Sequence, residues 1–257
     1  MPMTYEKTDA VAVFTLDNPP VNAFTPTIHK EFYGYLQDFI ADDVVKVGIL
    51  TAVGSRAFSA GDDIKTPRVP RTQPEIVDRY LRNRKEDESL EYPGWEMEVV
   101  QLQRFKTIIA AVNGPVMGQG FMYLMHLTDI RLASPNATFG LPEIQYGMPG
   151  AGGMFRMGLQ MPHVMAMWLT LTGEPIDAAA ALRCGVINEI VDRDKLLQRA
   201  YEVAGLITRQ PALSIRTEME AYFRGMDMTR EQALAFSAHL SRLQRVVFPT
   251  SAPLAGK

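Results

Sequence analysis

Cysteine is nearly missing: Cys184 is the only one in 257 residues, so no intrachain disulfide can form. The opening Met1-Pro2-Met3-Thr4-Tyr5-Glu6-Lys7 has no charged-then-apolar leader pattern. A reducing cytoplasm is the expected compartment. No apolar run approaches the ~18 residues of a bilayer-crossing helix, so no membrane partner is expected. Basic residues are not in excess. The formal charge of -3 removes the electrostatic footprint of a nucleic-acid binder. The four histidines, His29, His126, His163 and His239, lack metal-ligand spacing, and no metal is expected. Internal repeats and low-complexity tracts are also absent.

What is present is a mixed α/β pattern, long enough for one large core or two small ones. Val11-Ala12-Val13-Phe14-Thr15-Leu16 reads as a strand ending at Asn18-Pro19-Pro20. Thr25-Pro26 caps a helix whose buried face is Ile28, Phe32, Tyr35, Leu36 and Phe39. Further strands are expected at 47–51, 108–112 and 130–133, which argues for a largely parallel sheet. From about Met154 the pattern turns helical. Asp177 caps a helix over 178–184, Asp192 precedes another, Pro211 starts a third, and Thr229-Arg230-Glu231-Gln232 fits a capping box. Cys184, before Gly185, is expected to be a buried small hydrophobe. Residues 66–98 are the least regular, and read as a solvated helix between loops or as a lid over a pocket.

The chemistry concentrates in two glycine-rich turns and one acid. Ala60-Gly61-Asp62-Asp63 follows the strand ending at Thr51, and a helix opening near Asp63 is expected to orient its amides. Gly118-Gln119-Gly120 offers the same arrangement after the next strand. Two amides from separate turns converging on one oxygen make an oxyanion hole. Glu143, among Leu141, Pro142, Ile144 and Met148, supplies one carboxyl in apolar surroundings, which raises its pKa. Amides plus one acid suit the formation of an enolate.

These segments carry a resemblance. Asn18-Pro19-Pro20-Val21-Asn22-Ala23-Phe24, Phe58-Ser59-Ala60-Gly61-Asp62-Asp63-Ile64, Ala110-Ala111-Val112-Asn113-Gly114, Phe139-Gly140-Leu141-Pro142-Glu143, Pro149-Gly150-Ala151-Gly152-Gly153 and Leu171-Thr172-Gly173 occur in the order found in the crotonase (enoyl-CoA hydratase/isomerase) superfamily. The chain resembles that family over nearly its whole length. The resemblance implies an α/β crotonase-like fold of repeated ββα units over 1–190, with a helical trimerisation region over 191–257. It also implies trimers or dimers of trimers, and a coenzyme A thioester as substrate, with no permanently bound cofactor. The oxyanion donors fall on the backbone N–H groups of Asp62 and Gln119. Pro20, Val21, Ala23, Ala60, Gly61, Asp63, Ile64, Gly118, Gly120, Met122, Pro142 and Met148 are expected around the acyl-CoA.

Two departures matter. Family hydratases place a second glutamate where this chain has Met122, and no acid occurs from Gly114 to Thr128. Hydration divides water activation and protonation between two carboxylates, whereas a double-bond shift needs one base. The expected activity is therefore enoyl-CoA isomerisation by Glu143 alone. Hydration, or hydration followed by retro-aldol cleavage as in hydroxycinnamoyl-CoA hydratase-lyases, is the alternative, with Tyr146, Tyr123 or Tyr222 meeting a phenolic group. A catalytically silent CoA-binding protein is the second alternative. An RNA-binding role, known for some members with a lysine-rich helix, is disfavoured by the acidic balance. The Asp62 carboxylate opposes a developing enolate unless it turns away or caps the next helix. The family's basic C-terminal segment has no match in Arg245 to Lys257, which leaves Lys65, Arg68 and Arg71 as candidates for the CoA phosphates. His126 reads as a core or interface histidine, Met122 and Phe121 as pocket wall, and the fifteen methionines as core filling or an adaptable acyl pocket.

Overall fold

The structure is a computed structural model that describes residues 2–65, 70, 72–81, 94–148 and 154–247. Strands are β1 (Met3–Thr8), β2 (Val11–Leu16), β3 (Val47–Ala52), β4 (Thr107–Val112), β5 (Val116–Met117), β6 (Ile130–Ala133), β7 (Thr138–Gly140), β8 (Ile176–Asp177) and β9 (Glu189–Ile190). Helices are α1 (Pro26–Ala41), α2 (Gln73–Leu81), α3 (Trp95–Gln101), α4 (Gln119–Leu127), α5 (Met154–Gln160), α6 (His163–Thr172), α7 (Ala178–Arg183), α8 (Leu196–Thr208), α9 (Ala212–Gly225) and α10 (Arg230–Val247). Among the described residues no helix is long and apolar enough to cross a membrane.

The main sheet runs β1-β2-β3-β4-β6-β9, antiparallel only between β1 and β2. Its centre is covered on both faces, which is why β3 and β4 are continuous apolar runs rather than alternating ones. Leu50, Ile108 and Ala110 join the core that holds α1, where Ile28, Phe32, Leu36 and Phe39 pack near Phe14. Val47, Ile49, Ile109 and Ala111 face Leu196, Ala200 and Ala204 of α8. The small alanines of α8 let the helix lie close on the sheet.

Beside this sheet lies a smaller one, β5-β7-β8. Isolated bridges Ser59↔Val116 and Phe24↔Asp62 extend it, tying the segments near Phe24 and Ser59 to β5. Sequence patterning shows neither this sheet nor β1, because two- and three-residue strands have no period and β1 ends in exposed Glu6, Lys7 and Thr8. Helix caps follow the sequence closely. Thr25 Oγ1 accepts from the Ile28 N–H at 3.3 Å, and Asp177 Oδ1 from the Ala180 N–H at 2.7 Å. Thr229 and Gln232 cap each other reciprocally at 3.1 and 3.3 Å.

Of residues 66–98, α2 and the start of α3 are described, whereas 66–69, 71 and 82–93 lie outside the described residues and leave the lid reading unplaced. The motif at 149–153 and the C-terminal segment 248–257 also lie outside them. Cys184 is half-buried rather than enclosed, packing against the core, where burial pushes its thiol pKa up.

Candidate active site

The loop from Asn18 to Phe24 is fixed first. Asn22 adopts φ 54°, a conformation that asparagine tolerates better than most residues, and is 4% exposed. Its side chain accepts from the Asn18 N–H at 2.9 Å and donates to Val53 O and Ala57 O at 2.9 and 3.0 Å. Ser59 Oγ donates to Asn22 O at 2.8 Å. The loop is thereby tied to the turn that carries Asp62.

That turn bends at Gly61, φ 91°. The Phe24 N–H donates to Gly61 O, and the Asp63 N–H donates to Phe24 O, both at 2.8 Å. These bonds flank Asp62 and leave its own N–H without an acceptor among the described residues. The expected helix at Asp63 does not form: Asp63 Oδ1 instead accepts from the Lys65 N–H at 2.9 Å, and the next described helix is α2. An aspartate that closes a local turn competes with helix initiation.

At the second turn, Gly118 (φ 53°) is the N-cap of α4, and the Gln119 N–H begins the helix with no acceptor among the described residues. The two turns touch. A Cβ built on Gly61 would lie 3.0 Å from Met117 O and 3.3 Å from Gln119 N. A Cβ on Gly118 would lie 2.8 Å from Glu143 Oε1. Gly61 is therefore required by backbone contact as well as by φ, whereas at Gly118 φ favours glycine and an added Cβ would displace the Glu143 carboxyl.

Glu143 sits in a 3-10 turn, Pro142–Tyr146. Burial pushes its carboxyl above the ordinary range, with its own backbone N–H opposing and the Asp62 charge adding. Oε2 is buried with no hydrogen-bond partner among the described residues, and so is Gln119 Nε2. Ile144 is 42% exposed, so it does not wall the acid as the sequence suggests. An unpartnered carboxyl costs stability unless a ligand or water meets it.

Glu143, Asp62 and Gln119 line one cavity of about 690 Å³ with Pro20, Val21, Ala23, Ala60, Gly61, Asp63, Ile64, Gly118, Met122, Pro142 and Met148. Gly120 is the exception: it faces Ser59, whose Cβ would lie 2.8 Å from an added Cβ. Its role in this structure is packing. Asn18, Pro19, Thr25, Lys65 and Tyr146 complete the lining, while Arg68 and Arg71 lie outside the described residues. Of the three tyrosines considered, only Tyr146 reaches the cavity. Tyr123 is buried, and Tyr222 borders a separate cavity of about 1080 Å³ together with His126. Among the described residues no cluster of potential ligands could hold a metal ion.

Sequence reasoning missed His29. The residue is fully buried in α1, with Nε2 at 3.1 Å from Asp62 Oδ1 and Nδ1 at 2.5 Å from the Tyr123 hydroxyl. An ionised carboxylate only accepts, so the Nε2 proton lies toward Asp62. The Asp62 carboxylate thus turns to His29 rather than capping a helix. The only sequence signal was a histidine on the apolar face of α1, next to Ile28.

Comparison with known proteins agrees with this geometry. A family model described as enoyl-CoA hydratase/isomerase matches residues 6–244. A short-chain-enoyl-CoA hydratase of Clostridium acetobutylicum is 34% identical over 91% of this chain and 85% of that protein. An (E)-benzylidenesuccinyl-CoA hydratase of Thauera aromatica is 30% identical over 92% of this chain and 88% of its own length. The crystal structure of an enoyl-CoA hydratase/isomerase from Mycobacterium paratuberculosis superimposes with a TM-score of 0.80 at 27% identity, covering 97% of this chain and 91% of that one. With its crotonase-like α/β fold, the chain belongs to the enoyl-CoA hydratase/isomerase family.

Proposed function

We propose that this protein hydrates the double bond of a 2-enoyl-CoA thioester reversibly, through an enolate whose oxygen is held by the Asp62 and Gln119 amides. The observation that carries the reading is Glu143 Oε2, buried without a hydrogen-bond partner, on a carboxyl beside Gly118 that shares its cavity with two amides lacking acceptors among the described residues. Its raised pKa suits a group that delivers a proton to C2 as the enolate collapses. Hydration rather than isomerisation is supported by the hydratase names of the two relatives and by a second carboxylate, Asp62, in the same cavity. Isomerisation is the second reading, favoured by Met122, an apolar side chain in the cavity where the resemblance expects a second glutamate.

The substrate is a coenzyme A thioester with no resident cofactor, and Lys65 at the cavity edge is the described cation placed to meet its phosphates. Assembly into a homotrimer or a dimer of trimers, and a cytoplasmic location, belong to the same proposal. The test is incubation of 2-enoyl-, 3-enoyl- and hydroxycinnamoyl-CoA in water labelled with heavy oxygen and deuterium. Oxygen entering at C3 supports hydration, bond movement with hydrogen exchange alone supports isomerisation, and an aldehyde product indicates cleavage. Glu143→Gln lowers turnover at least about 100-fold while thioester binding persists. Turnover that survives the substitution would sink the reading.

A further inference from the structure

Asp62 is an expensive choice beside an oxyanion hole. Its amide serves the enolate oxygen while its carboxylate, in the same cavity, repels that oxygen's charge. Nothing about the backbone donor demands an acid here, since any residue supplies an N–H. The structure nevertheless holds this acid in place through a chain of buried groups. Asp62 Oδ1 meets His29 Nε2 at 3.1 Å, and His29 Nδ1 meets the Tyr123 hydroxyl at 2.5 Å. His29 is 0% exposed and Tyr123 1%. Phe24 stacks on the His29 ring at 5.3 Å between centroids and meets Tyr123 edge-on at 5.0 Å. Glu96 of α3 is a further charged group that acts on His29 and Asp62, and Asp62 also acts on Glu143 across the cavity.

A polar chain of this kind, enclosed by aromatic rings, is costly unless every member is satisfied, and it fixes one geometry when it is. Its outer end is the only member that reaches the cavity. The Asp62 side chain is 28% exposed there, and Oδ2 has no hydrogen bond among the described residues.

We propose that the Asp62 carboxylate is the second acid–base group of this site, with His29 and Tyr123 as the positioning residues that hold it. The proposal rests on the hydration reading above. As a water oxygen bonds to C3, Asp62 takes one proton from that water. The C2–C3 π pair shifts toward C2 and the thioester oxygen, giving the enolate held by the two amides. Glu143 then gives its proton to C2, forming the new C–H bond. Asp62 ends protonated and Glu143 ionised, and one proton returns from Asp62 to Glu143 through cavity water. This order removes the objection to the residue: Asp62 becomes neutral as negative charge appears on the thioester oxygen. Met122 is then no gap in the machinery, because the second acid enters from the other turn.

The discriminating experiment compares two reactions of the whole protein. Hydration of crotonyl-CoA needs both acids, whereas exchange of the C2 hydrogens of butyryl-CoA in heavy water needs Glu143 and the amides alone. Asp62→Asn keeps the backbone donor and the side-chain shape. It is expected to slow hydration about 100-fold or more, with exchange slowed less than about tenfold. If Asp62→Asn does not fold, Tyr123→Phe deletes one hydroxyl. It is expected to lower the hydration-to-exchange ratio through kcat, with KM little changed. Hydration that withstands Asp62→Asn, a parallel loss of both reactions, or an unmoved ratio in Tyr123→Phe overturns the proposal. Wild-type protein that neither hydrates nor exchanges overturns the underlying reading instead. Wild type that exchanges without hydrating overturns both hydration and this role for Asp62.

Discussion

At Gly118 a single methyl group separates an intact site from a displaced one. The Cβ of Gly118→Ala would stand 2.8 Å from Glu143 Oε1, on a backbone with φ 53°. Either the carboxyl moves or the turn does, and misplacement on the ångström scale costs about 100-fold in rate. Steady-state kinetics should show that loss in kcat while circular dichroism shows a folded protein. An active Gly118→Ala enzyme would mean that Glu143 does not work from this position. Glu143 also makes a stability prediction. Its folded pKa is raised by burial, so the unfolded chain releases the proton at lower pH than the native one, and stability falls as pH rises through that interval. Glu143→Gln should therefore raise the melting temperature at neutral pH, with the gain vanishing below the ordinary carboxylate value of 4.5. Thermal melts across pH test this sign. Glu143 was legible in the sequence because its motif is local, whereas His29 was not. Its partners Asp62 and Tyr123 lie 33 and 94 positions away, and no local pattern marks such a meeting.

Elements with internal periodicity were read correctly from sequence, and elements defined by partners were not. The stripe of α1 and the apolar runs of β3 and β4 carry their own burial signal. The β5-β7-β8 sheet and its bridges to Ser59 and Phe24 exist only through long-range pairing, yet they bring the two amide turns together. The helix expected at Asp63 failed for a related reason, because the Asp63 side chain closes its own turn. Asn22 is the test of this layer. Asn22→Ala removes the partners of two carbonyls, Val53 O and Ala57 O, and leaves a residue without a polar side chain at φ 54°. Unsatisfied buried groups cost about 1–3 kcal/mol, and backbone strain adds to that. Chemical denaturation should show a loss of about 2–4 kcal/mol. A change under about 0.5 kcal/mol would show that the loop is held by other contacts.

For the molecule as a whole, the helices after residue 154 divide into those that complete the core and those that leave apolar surface uncovered. Helix α8 belongs to the first group, since Leu196, Ala200 and Ala204 cover the back of the main sheet. Helix α6 faces both ways. Its buried side, with Ala166 and Leu169, packs into the core, and the helix lies against the turn that carries Glu143, where Gln145 Nε2 donates to Thr172 O at 3.4 Å. Its other side presents Val164, Trp168 and Leu171 at 76, 52 and 67% exposure, one stripe at helical spacing. Among the described residues this stripe is apolar surface of the kind a second copy would cover. If a second copy covers it in the proposed assembly, the contact also braces the Glu143 turn from behind. Trp168→Glu should then lower the particle mass in size-exclusion light scattering and reduce kcat together, with the helical signal retained. Reduced kcat at unchanged mass would leave α6 as a support for the turn within one chain and place the subunit contact elsewhere. Loss of mass at full activity would show that Glu143 is held by its own chain alone.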